Sequence, residues 1–134
     1  MPTIKSSYLG SLRTEAVHVN SSTALLTDAP LDNNGKGEAF SPTDLVAAAL
    51  GSCMVTIMGI VAEREGFSLE PLSWQTTKIM HNSPRKIQEI QVEFHWSGAA
   101  MDPVIAQKLK HAARTCPVAL SLDPALTQTI NFNF

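Results

Sequence analysis

Apolar and polar positions change period from block to block along the chain. Ile4 to Leu9, Leu12 to Val19 and Thr23 to Thr27 are short, β-branched and partly alternating. Gly10-Ser11 and Asn20-Ser21-Ser22 punctuate them, so three strands are predicted. Asp28 to Glu38 shows no period and carries Pro30, Asp32-Asn33-Asn34-Gly35 and Gly37, which reads as a loop. An aperiodic stretch of this length inside a compact domain is commonly functional.

The clearest element follows. Ser41 suits a helix N-cap, Pro42 the first helical position, and Asp44 places a carboxylate at the positive end of the dipole. The helix is predicted to run to about Glu65 and to stop at Gly66. Leu45, Ala49, Cys53, Ile57 and Ile60 recur at helical spacing and are expected to form its buried face, with Cys53 in mid-helix. Gly51 and Gly59 would each weaken an isolated helix by about 1 kcal/mol relative to Ala. Something packed closely against both is therefore expected.

Leu72 to His81 and Lys86 to Trp96 read as two strands joined by the turn Asn82-Ser83-Pro84-Arg85. Asp102-Pro103 begins a second helix reaching about Arg114, with Val104, Ile105, Leu109 and Ala112 or Ala113 as its inner face. Cys116-Pro117 opens a short third helix, and Thr127 to Phe134 alternates as a last strand. The order βββ-α-ββ-α(α)-β predicts one α+β domain over residues 1–134, with a mainly antiparallel sheet and a long central helix. That helix is too apolar for one small sheet to cover, which favours a homodimer.

Composition narrows the function classes. A chain of 134 residues with 44% apolar content can bury one core. A net charge of −2 supplies no broad basic surface for phosphates, so nucleic acid is not an expected partner. Leu45 to Ala62 is broken by Gly51, Ser52, Thr56 and Gly59 and reads as a buried helix rather than one of the roughly 18-residue apolar runs that span membranes. No membrane association is expected. Met1-Pro2-Thr3-Ile4-Lys5-Ser6 lacks an apolar signal core, which points to the cytoplasm.

Candidate chemistry centres on two cysteines 63 positions apart, without CxxC or zinc-ligand spacing. They are either inert buried thiols or a redox pair. Cys116, at a helix start, either is stabilised as a thiolate by unsatisfied N–H groups or merely caps a turn. Cys53, mid-helix among apolar residues, would be inert unless a cation or donor sits beside it. Arg13, Arg64, Arg85 and Arg114 are the arginines available, and the strand reading gives Arg13 no evident solvated role. His18, His81, His95 and His111 share no ligand spacing, so no metal or other cofactor is expected. Met54 and Met58 are core filler or the lining of an apolar slot.

Phe40-Ser41-Pro42-Thr43-Asp44-Leu45-Val46-Ala47-Ala48-Ala49-Leu50-Gly51-Ser52-Cys53 resembles the helix signature of the OsmC/Ohr superfamily, the osmotically inducible protein C and organic hydroperoxide resistance proteins. Arg114-Thr115-Cys116-Pro117-Val118 resembles its second-cysteine motif, and the likeness covers nearly the whole chain. The resemblance implies an intertwined homodimer with two sheets around a central helix pair and two sites at the subunit interface. It implies further that Cys53 attacks an organic hydroperoxide, that Cys116 resolves the product, that Arg13 stabilises the thiolate, and that an external dithiol restores the pair. Hydroperoxide-reducing members carry a glutamate after the helix-starting proline to hold that arginine; here Thr43 stands there, leaving Glu38 and Asp44 as candidate anchors. An OsmC-like protein that binds a small apolar ligand without reducing peroxide is the alternative.

Overall fold

The computed structural model describes residues 1–134, which divide into two compact units, Met1–Val46 and Ala47–Phe134. In the first, β1 (Ile4–Gly10), β2 (Arg13–His18) and β3 (Ala24–Asp28) form an antiparallel sheet in the order β1-β2-β3. Tight turns at 10–12 and 19–23 link them, as the punctuation predicts. The stretch after β3 contains one 3-10 turn, Leu31–Asn33, and folds back: Asp28 N–H donates to Phe40 O at 3.0 Å, and Gly37 N–H to Ala29 O at 3.2 Å. The residues of β1 are exposed almost throughout, Ile4 and Tyr8 among them.

α1 (Pro42–Glu65) has the predicted bounds because both ends are written locally. Ser41 Oγ accepts from Asp44 N–H at 3.1 Å, and Asp44 Oδ2 accepts from Ser41 N–H at 3.0 Å, a reciprocal capping box with Asp in place of the usual Glu. At the far end Gly66, at φ +74°, turns the chain out, while Gly66 N–H reaches Glu63 O and Phe67 N–H reaches Ala62 O, a Schellman closure.

The second unit is built on β4 (Leu72–His81), β5 (Lys86–Trp96) and β6 (Thr127–Asn133), with α2 (Pro103–Arg114) and α3 (Pro117–Ser121) between β5 and β6. β4 and β5 pair antiparallel. β5 and β6 pair parallel, a departure from the antiparallel pattern that follows from the crossover through two helices. The α+β class and element order stand, with two three-stranded sheets rather than one. Ile90, Val92 and Phe94, alternate residues of β5, are fully enclosed with Leu50, Met54 and Met58 of α1 and Leu109 and Ala113 of α2.

The inner face of α1 differs from the expected one. Ala47, Leu50, Gly51, Met54, Met58 and Ala62 are buried, while Cys53 and Ile57 are half-buried and Ile60 is 43% exposed. The helix is apolar on nearly every side, so periodicity alone cannot select the covered face. It is also apolar enough, at mean hydropathy 2.2 over its best 18-residue window, to cross a membrane by length and composition, contrary to the sequence reading. Along one face, Ala47, Leu50, Met54 and Met58 pack in the core cluster with residues of β5 and α2. On α2, Ala106 takes the inner place expected of Val104, which is exposed.

Of the two helix glycines, Gly51 has the expected close neighbour. A Cβ there would sit 2.7 Å from Trp74 Nε1 and 3.0 Å from Cδ1. Around Gly59 nothing lies within 4 Å. Gly51→Ala should therefore destabilise: overpacking of about 1–3 kcal/mol outweighs a helix-propensity gain of about 1 kcal/mol. Urea titration of the variant should show a lower midpoint; an unchanged or higher one contradicts the packing described.

Candidate functional site

The site is built from two cysteines in the second unit. α1 carries Cys53 at its middle, half-buried at the margin of the core. Cys116 is fully buried at the N-cap of α3, where Pro117 starts the helix and Cys116 Sγ accepts from Ala119 N–H at 3.3 Å. Cys53 packs against the core cluster that contains Cys116, near enough to influence its protonation. Long-range folding thus brings together residues from α1 and from the α2–α3 junction.

Their environments differ. Burial pushes the Cys116 thiol up from its ordinary value, the Ala119 N–H opposes this, and the neighbouring Cys53 reinforces it. Of the two readings open from sequence, the cap is the one favoured: α3 is five residues long and desolvation outweighs its N–H groups. Arg114, which could have sat beside Cys116, instead lies over the Phe132 ring at 5.1 Å.

The first unit holds an arginine gripped by carboxylates. Arg13 and Asp28 are directly opposite in the β2–β3 ladder. Arg13 Nε donates to Asp28 Oδ1 and Nη2 to Oδ2, each at 2.7 Å, a bidentate pair. Asp28 is 1% exposed, and the returning loop delivers Glu38 N–H to its Oδ2 at 3.0 Å. Glu38 Oε1 lies 3.7 Å from Arg13 Nη2, so the loop does fold back far enough for this residue to contribute. Asp44, the other candidate anchor, engages its carboxylate in the α1 cap. The Arg13 hydrogen bonds, followed by the Glu38 N–H, hold the Asp28 carboxyl below its ordinary value although burial works against them, and Asp28 keeps Arg13 firmly protonated.

The description "OsmC-like protein" matches residues 35–131. Over 99% of its length the chain superposes on a supposed osmotic stress induced and detoxification response protein from Psychrobacter arcticus 273-4, covering 96% of that chain, with 41% identity and a TM-score of 0.95. The chain belongs to the OsmC-like family. Other members share the fold at lower identity. An organic hydroperoxide resistance protein OsmC from Legionella pneumophila is 20% identical over 100% of this chain and 98% of its own, TM-score 0.76. A supposed organic hydroperoxide resistance protein from Vibrio cholerae O1 biovar eltor str. N16961, with captopril in one of its active sites, is 15% identical over 99% and 92%, TM-score 0.71. Among curated proteins no match is found.

In this OsmC-like chain, Asp28 is the site residue that sequence reading passed over. The signal was present in the hairpin: a turn centred between Asn20 and Ser21 sets Arg13 opposite Asp28, but Asp28 read as the first residue of a loop. The contrast between the thiols gives a direct expectation. Because burial raises Cys116 and Cys53 is half-exposed, iodoacetamide at pH 7 should label Cys53 first, with Cys116 labelled slowly until the pH passes above the ordinary thiol value of 9.0. Peptide mass spectrometry of timed samples checks the order; Cys116 labelled as fast as Cys53 in the folded protein would contradict it.

Proposed function

We propose that this protein is a thiol-dependent peroxidase that reduces organic hydroperoxides in oxidative stress defence, working as a cytoplasmic homodimer. The observation that carries the reading is a half-exposed Cys53 packed against the core cluster that holds a buried Cys116. The accessible sulfur attacks and the enclosed one waits. The Cys53 thiolate takes the distal peroxide oxygen, the O–O bond breaks, and the alkoxide leaves as alcohol after gaining a proton. Cys53 becomes a sulfenic acid, which condenses with the Cys116 thiol to a disulfide and water. An external dithiol returns both thiols by exchange and leaves as its own disulfide. A reducing compartment suits two free thiols.

The family resemblance is what gives Arg13 the task of favouring the Cys53 thiolate; within the first unit Glu38 is a second carboxylate near its guanidinium. The relatives support the substrate class, since two of them are named for organic hydroperoxide resistance. The dimer is supported by the half-exposed apolar flank of α1, including Ile60 and the open surface at Gly59, and by the exposed strand β1.

One equivalent of cumene hydroperoxide per chain, added anaerobically, should remove both free thiols, and in Cys116→Ser should leave a dimedone-reactive sulfenic acid on Cys53. Retention of both thiols would reject the peroxidase and favour the alternative, a small-ligand binder, for which Thr43 in place of the family's glutamate speaks. Sedimentation at low micromolar concentration should show a species of twice the chain mass, because a shared core resists dilution. A folded monomer there would sink the dimer.

A further inference from the structure

We propose that the second unit carries a binding site for a small methylated ammonium ion, in a cavity beyond the C-terminal end of α1 that the thiol chemistry does not use. The cavity measures about 350 Å³, the size of a small-molecule site. Phe67 and Pro71, which follow α1, line it together with Trp96 at the end of β5, Met101 and Asp102 at the entry to α2, and Ile105 on that helix. Cys53 lies more than three turns back along α1, about 18 Å from its last residue at 1.5 Å per residue. The cavity is therefore independent of the roles given to the cysteines.

Its walls are set by the chain itself. Gly66, at φ +74°, turns the backbone out of α1 and carries Phe67 to Trp96, where the rings meet at 73° with centroids 6.4 Å apart. The indole is fixed in two further ways. Its Nε1 donates to Ala99 O at 2.7 Å, and Gly98 lies so close that a Cβ there would come within 2.7 Å of Cζ2. Ser97 ties the same loop to the Pro71 carbonyl, through its N–H at 3.2 Å and its Oγ at 3.0 Å. A ligand meets walls already in place, so little ordering is left to oppose binding.

The lining selects the charge and the shape of the ligand. Among the side chains that line the cavity, Asp102 alone is charged. Its Oδ1 caps α2 by accepting from Val104 N–H at 2.7 Å, while Oδ2 receives no hydrogen bond from the protein. A helix start carries roughly half a positive charge, so a full carboxylate leaves the rim net negative. The Trp96 N–H is engaged by Ala99 O, and most of the remaining lining is aromatic or aliphatic. An anion is repelled here, and a primary ammonium would turn some of its N–H donors toward groups that cannot accept them. A methylated ammonium needs no hydrogen bonds. Its charge is spread over C–H groups that favour aromatic faces beside a carboxylate.

The test follows the indole N–H signals of Trp74 and Trp96 by NMR in the isotope-labelled full-length protein, with Trp96 assigned through Trp96→Phe. Choline chloride is titrated in parallel with its neutral carbon isostere, 3,3-dimethylbutan-1-ol. Choline should move the Trp96 signal saturably, leave that of Trp74 in place, and bind at least about tenfold tighter than the isostere. Asp102→Asn keeps the α2 cap, since Asn caps as well as Asp, and should weaken choline about threefold to fivefold without changing the isostere. Equal affinities for the two compounds, or wild-type choline affinity in Asp102→Asn, overturn the ammonium ion as ligand. No saturable movement of Trp96 with either compound overturns the site. Neither result bears on the peroxidase reading, which is tested on the thiols.

Discussion

The structure turns on how a 24-residue helix that is apolar on nearly every side is covered. β5, α2 and α3 supply one covering, and the residues they enclose, Leu50, Met54 and Met58, make the core of the second unit. Cys53 falls one position from Met54, at the margin of that covering. One helical step inward would enclose its sulfur among Leu50 and Phe94, where a charged thiolate is strongly disfavoured. One step outward lies Ser52, already exposed. The packing that stabilises the helix therefore also sets the accessibility of the thiol, and a substitution that rotates the buried stripe would disturb both.

The same packing divides the two cysteines. Cys116 is held by its capping bond from Ala119 N–H and by enclosure, and enclosure dominates its protonation. Among the influences that keep it a thiol is Cys53 itself.

Local signals were legible in the sequence and long-range ones were not. The ends of α1, α2 and α3 follow from Ser41-Pro42, Gly66, Asp102-Pro103 and Cys116-Pro117, each acting within a turn of its own position. The ends of β4 and β5 were equally readable from their turn. The buried face of α1 was not, because a stripe can be read only against a polar background that this helix lacks. Parallel pairing of β6 depends on where a crossover delivers the chain, which no local pattern encodes. The protonation of Cys116 stayed open in the sequence because the helix start is visible there and burial is not. Asp28 was hidden for a related reason, since its meaning lies in the strand opposite.

The anchoring of Arg13 shows why a carboxylate on β3 suits this chain. A carboxylate carried on the first turn of α1 is committed to another task here, because Asp44 closes the capping box with Ser41. Glu38 reaches the arginine only at 3.7 Å from a largely exposed side chain, which gives a weak and poorly directed hold. Asp28 needs neither a long side chain nor a loop conformation to find its partner, since the ladder sets the two residues face to face and the neighbouring Thr14 and Thr27 hydroxyls pair alongside. A short acid on a strand has fewer rotamers to lose than a glutamate, so more of the interaction survives as orientation. The direction of the guanidinium is in this way a property of the sheet, fixed by backbone pairing.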